Sequence, residues 1–114
     1  MDYAAKRFVT VIPEVEMPGH ASAAIASYPH LSCRGVQIPV ETNWGIFEEV
    51  FCPGKESTFE FLEGVLEEVV EIFPAELIHI GGDEAPRARW KECTHCQQRM
   101  KDGDLKRKMN CKDI

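Results

Sequence analysis

At 114 residues the chain is at most one domain. Its 44% hydrophobic and 28% charged residues belong to a folding chain rather than a disordered one. A formal net charge of −6 argues against nucleic acid or an anionic membrane as partner, and no apolar run is long enough to span a bilayer.

The segment Asp2 to Lys6 reads as the tail of a helix, and Met1 to Thr10 lacks the apolar core of a signal peptide. The β-branched run Phe8 to Ile12 follows, closed by Pro13 and by Pro18-Gly19. Apolar on both faces, it predicts a parallel strand covered on both sides. "ASAAIASY", Ala21 to Tyr28, predicts a short helix stopped by Pro29. Pro29 to Lys55 has little periodicity and carries three prolines and three glycines; it predicts a long excursion presenting Trp44, Phe47 and Phe51.

"STFEFLEGVLEEVVEIFP" predicts an amphipathic helix. Its stripe is Phe59, Leu62, Val65, Leu66, Val69 and Phe73, with a capping box at Ser57 and Glu60. Glu60, Glu63, Glu67, Glu68 and Glu71 make the solvated face. "LIHIGG" predicts a second buried strand, and Arg87 to Lys101 one further helix beginning after Pro86. The order strand, helix, strand, helix implies an α/β fold with parallel pairing and right-handed crossovers.

Both strands end in polar turns. The first delivers Glu14, Glu16 and His20; the second delivers His79, Asp83 and Glu84. Sites in parallel α/β folds are built at the carboxyl ends of strands, so an imidazole from one turn meets carboxyl groups from the other. Strict strand geometry would send Asp83 and Glu84 to opposite faces, and a bend at Gly81-Gly82 can turn both into one pocket. An acid pair at a turn or helix start near Pro86 would explain the same residues without catalysis. A packed, hydrogen-bonded His79 is the simpler reading of that residue, and Glu14 and Glu16 could satisfy backbone at the strand end. Two further function classes fit the composition: a metal-dependent hydrolase using His20, His79 and Asp83, or a zinc or thiol interaction module built on the cysteines.

"HIGGDE" after an apolar run, with "VIPEVEMPGH" one unit earlier and Trp90 shortly after, resembles the family 20 glycoside hydrolases, the β-N-acetylhexosaminidases. The resemblance extends from about Asp2 through Lys101. It implies a partial (β/α)8 TIM barrel, about two βα units, the third and fourth, of a catalytic domain that takes about 250 residues when complete. It implies hydrolysis of terminal N-acetylhexosamine from glycans with retention, the substrate's own 2-acetamido oxygen being the nucleophile, with no cofactor and no metal at the site.

Residue by residue, Glu84 matches the general acid/base and Asp83 the carboxylate that orients and stabilises the acetamido group. His20 matches the histidine in contact with the acid/base. Glu14, Glu16 and Trp44 are candidate substrate contacts, whereas Trp90 fits packing behind the site. The family's partner aspartate, its sugar-gripping arginine and its pocket-wall aromatics match nothing here. A quarter-barrel of this kind is expected to be inactive alone.

The resemblance further implies export to the periplasm, a lysosome or the exterior, where a Cys33–Cys52 disulfide would staple the loop by roughly 3 kcal/mol. For Cys93 and Cys96, zinc needs four ligands, only these two have the spacing, and His95 would point off their helical face. One back-translation of Met109 to Ile114, read one base earlier, encodes Asp-Glu-Leu-Gln-Arg-Tyr, similar to what often follows this helix in the family. Residues 1–108 are therefore expected to be barrel and 109–114 an out-of-frame tail.

Overall fold

The computed structural model describes residues 1–103, so the expected boundary at Lys108 and the tail at 109–114 lie outside the described residues. Among the described residues five α-helices run in chain order: α1 (Asp2–Ala5), α2 (Ser22–Ser27), α3 (Glu56–Ile72), α4 (Ala88–Glu92) and α5 (Thr94–Asp102), with a 3-10 turn at Pro29–Leu31. Among the described residues no helix is long and apolar enough to cross a membrane.

The residues that follow the first apolar run pair in parallel with the second, but neither segment forms a regular strand among the described residues. The contact is a single bridge, Glu14 with His79. It is held by His79 N–H to Pro13 O at 2.9 Å, Val15 N–H to His79 O at 2.9 Å and Met17 N–H to Ile80 O at 3.0 Å. The pairing thus begins after the run Phe8 to Ile12 rather than within it. The start of that run ends α1 instead: the Phe8 amide donates to Ala5 O and Phe8 itself turns into the left-handed region at φ 57°.

The expected burial on both faces is also absent. Phe8 is 100% exposed, Val9, Ile12 and Leu77 are half exposed or more, and Ile80 is 49% exposed. β-branched residues favour extended backbone, but burial needs covering layers, and no described element lies over these faces. The radius of gyration, 16.4 Å, exceeds the roughly 13 Å of a compact chain of about this length.

The core lies on the other side of the pairing. Ala21, Ile25, Leu31 and Phe51 form one buried cluster, with Met17, Ile38, Phe61 and Leu62 packed against it. The two ends of the excursion are joined by an antiparallel bridge of Ser32 with Phe51, and by Cys52 N–H to Leu31 O at 2.8 Å. The predicted stripe of α3 is half-buried and its glutamates are exposed. Its capping box does not form. The helix starts at Glu56, Lys55 is the N-cap, and no side chain caps it. Ser57 is already inside the first turn. Lys55 Nζ instead donates to the carbonyls of His30 (2.9 Å) and Ser32 (2.6 Å), tying the helix start to the excursion.

The last predicted helix is two. Cys93, at φ −79° and ψ 120°, is extended and separates α4 from α5. Gly54 explains why the break packs well: a Cβ there would overlap the backbone of His95 and Cys96. At Gly64, inside α3, nothing lies within 4 Å of a Cβ. Gly54→Ala is expected to lower the chain's unfolding free energy by about 1–3 kcal/mol, and Gly64→Ala to raise it by up to about 1 kcal/mol. Parallel denaturation curves of the two variants check this; equal shifts would contradict the packing described.

Candidate functional site

The site grows out of the register of one bridge. From Glu14 and His79 the two segments run on side by side, one to His20 and the other to Glu84. Gly19 lets them touch. A Cβ at Gly19 would sit 3.3 Å from the Glu84 carbonyl and 3.5 Å from that of Asp83. Gly81 and Gly82 supply the bend with φ of 66° and 102°. Gly81 is also a close-approach position, since a Cβ there would overlap the Glu16 carboxylate.

His20 and Glu84 themselves adopt positive φ, 50° and 47°. Such residues cost on the order of 1–3 kcal/mol each and persist only where surrounding contacts over-determine them. Here the outcome is a contact between side chains. His20 Nε2 lies 3.3 Å from Glu84 Oε2. One ligand atom each from His20, Asp83 and Glu84 falls within 4.8 Å of the others. The group is open, with 33% and 49% of the His20 and Glu84 side chains exposed, so a substrate could reach both acids.

The remaining sequence candidates divide. His79 turns away from this trio. Its Nδ1 lies 3.0 Å from Glu14 Oε1 and accepts the Gly81 N–H at 3.2 Å, so the ligand set His20, His79, Asp83 is not brought together. Glu14 lies beside that imidazole, and Glu16 lies under Gly81 with its Oε2 buried and unpartnered. Trp44 stands fully exposed in the excursion. Trp90 is a packing residue: its Nε1 donates to Phe51 O at 3.0 Å and its ring packs on the cysteines.

Cys33 and Cys52 are free thiols in the structure, not a disulfide. They join Cys93 and Cys96 in a cluster whose four sulfurs all lie within 4.8 Å of one another. Burial pushes the Cys33 thiol far above its ordinary range and the Cys96 thiol up to about 12, and neighbouring Cys52 adds to both. Burial raises Cys93 too, but hydrogen bonds from the Cys96 amide and from the surrounding sulfurs outweigh it and leave that thiol lowered. Sequence reasoning missed the cluster because it looked for four ligands at local spacing. The signal available was "CPGK", a Cys-Pro-Gly turn of the kind that can lie against a C-x-x-C.

Comparison with known proteins agrees with the motifs. The profile of the glycosyl hydrolase family 20 catalytic domain matches residues 1–113. A "Beta-hexosaminidase" of Porphyromonas gingivalis is 51% identical over 106 residues, covering 93% of this chain and 14% of its own length. A solved β-N-acetylhexosaminidase of Bacteroides fragilis superposes with a TM-score of 0.80 at 45% identity, over 91% of this chain and 20% of that one. A Streptomyces plicatus β-hexosaminidase variant, solved with its product GlcNAc, matches with a TM-score of 0.73 at 37% identity, over 88% and 19%. The chain therefore spans about a seventh to a fifth of the length of these relatives and corresponds to a portion of a TIM barrel. With its matched profile, its "HIGGDE" turn and the His20–Glu84 contact, this chain belongs to glycosyl hydrolase family 20.

Proposed function

We propose that the chain is the third and fourth βα units of a β-N-acetylhexosaminidase barrel. The enzyme would remove terminal β-linked N-acetylglucosamine or N-acetylgalactosamine from exported or extracellular glycans. The observation that carries this reading is the 3.3 Å contact of His20 with Glu84, with the Asp83 carboxylate beside it. The name of the Porphyromonas relative and the GlcNAc held by the Streptomyces one support the sugar.

The proposed steps divide labour between adjacent acids. The 2-acetamido oxygen of the substrate attacks C1, and the C1–O bond to the leaving group breaks as Glu84 gives that oxygen its proton. Asp83, as a carboxylate, accepts the acetamido N–H and faces the positive charge of the cyclic oxazolinium intermediate. Glu84, now a base, takes a proton from water, which adds to C1 and reopens the ring with net retention. His20 is a positioning residue, holding the Glu84 carboxyl group.

Walls for a sugar are missing from the described residues, and the apolar faces around Phe8 and Leu77 are uncovered. The isolated 114-residue chain is accordingly expected to show no turnover of aryl N-acetyl-β-glucosaminides; robust hydrolysis by a purified monomer would contradict the barrel-segment reading.

In a complete barrel containing this segment, Glu84→Gln should hurt substrates with poor leaving groups most, because those need protonation. Asp83→Asn should slow every substrate alike, by about 3 kcal/mol or more, because it removes the charge facing the cation. The check is kcat/KM for both variants across aryl leaving groups of graded pKa. If the leaving-group dependence appears in Asp83→Asn instead, the roles are reversed. If neither variant loses more than a few-fold, the pair is only a turn.

A further inference from the structure

The cysteine cluster stands apart from the proposed glycosidase chemistry, and its geometry is specific. Three sulfur pairs lie at close range: Cys52–Cys96 at 3.5 Å, Cys52–Cys93 at 3.7 Å and Cys33–Cys96 at 3.7 Å. A disulfide holds its sulfurs about 2.05 Å apart. Zinc–sulfur bonds of about 2.3 Å place the sulfurs of a tetrahedron about 3.8 Å apart. The observed spacings are those of a tetrahedral shell.

We propose that Cys33, Cys52, Cys93 and Cys96 are the four ligands of a structural zinc ion. Binding replaces four thiol protons: one Zn²⁺ and four Cys–SH give a tetrathiolate centre and release four protons. No redox step and no further reactant is required.

The surroundings are built for such a centre. Cys52, Cys93 and Cys96 are 0%, 8% and 4% exposed and Cys33 is half-buried, and four thiolates would fill a tetrahedral shell with no position left for a catalytic water. Cys93 and Cys96 form a knuckle, with the extended backbone of Cys93 starting α5. The turn after Cys52 lies directly on this knuckle, where Gly54 admits no side chain. Cys33 arrives from the antiparallel bridge of Ser32 with Phe51, which also presents Cys52. Trp90 covers one side, fixed by its bond to Phe51 O, and Gln97 Nε2 donates to Trp90 O at 2.9 Å. Four sulfurs from three distant segments meet with their supports in place, which local chain geometry alone does not require.

Such an ion would fasten the Pro29–Lys55 excursion to the α4–α5 pair through Cys93, nine residues beyond Glu84, and Cys96. Its role is mechanical. It spans the segments that leave both turns of the His20–Asp83–Glu84 group, without contributing to their chemistry.

The test is metal content of the full 114-residue chain, refolded from denaturant under reducing conditions with one equivalent of zinc and then desalted. One zinc per chain is expected by elemental mass spectrometry. Cys33→Ser, Cys52→Ser, Cys93→Ser and Cys96→Ser should each reduce it severalfold, while Cys111→Ser should retain it. Because a serine variant could fail to fold, cobalt(II) is also titrated into the metal-free wild-type chain. A thiolate-to-cobalt absorption saturating at one equivalent, with four thiols becoming unreactive to a disulfide reagent, is the expected result. Absence of bound metal, retention by Cys52→Ser or Cys96→Ser, stoichiometric iron taken up in preference to zinc, or disulfides among the four cysteines in protein purified without reductant would each overturn the assignment.

Discussion

The proposed glycosidase site depends on one register: Glu14 beside His79 in a parallel pairing of three backbone hydrogen bonds. Side chains alternate across extended backbone, so a slip by one residue would reverse which groups face the site. In the observed register the two segments reach His20 and Glu84 together, and the bare backbone of Gly19 lets the turns close to contact. Left-handed backbone at His20, Gly81, Gly82 and Glu84 then aims the polar groups. The strain at His20 and Glu84 is offset by contacts elsewhere, which makes the two turns the most specified part of a loosely covered molecule.

A weak pairing needs support from both flanks. On one flank is the apolar cluster of Ala21, Ile25, Leu31 and Phe51. On the other are the four sulfurs with Trp90, and between them charged groups join the same segments. Arg89 reaches Glu48 at 2.8 Å and Glu49 at 2.7 Å, and Arg34 reaches the same Glu49 oxygen at 2.7 Å. The excursion is therefore not a free loop. It is the layer that connects the turn after the first segment with the helices after the second.

Much of the site was legible in the sequence, because its signals are local and chemically unusual. Two glycines before two acids have few structural explanations, and "MPGH" one unit earlier supplied the imidazole. The stripe and acidic face of α3 were legible for the same reason, a period of 3.6 maintained across 17 residues. What escaped was whatever depends on partners distant in sequence. Phe8 to Ile12 reads as a buried strand by composition, yet nothing among the described residues covers it. The Ser57 capping box failed because Lys55, anchored to His30 and Ser32, starts the helix two residues earlier. Arg87 to Lys101 reads as one helix, whereas Cys93 breaks it so that its sulfur can meet Cys52. No periodicity announces a break whose cause lies 41 residues away.

The central claim is that Glu84 acts as proton donor and then as base while the substrate's acetamido group acts as nucleophile. Azide rescue tests it most directly, since azide needs no base to attack the intermediate. Glu84→Ala, in a complete barrel containing this segment, is assayed with an activated aryl N-acetyl-β-glucosaminide, with and without azide, and the anomer of the product is read by NMR. The account predicts azide-dependent acceleration and a β-glycosyl azide, the retained configuration. An α-azide, or no acceleration although the variant forms the cyclic intermediate, would contradict it.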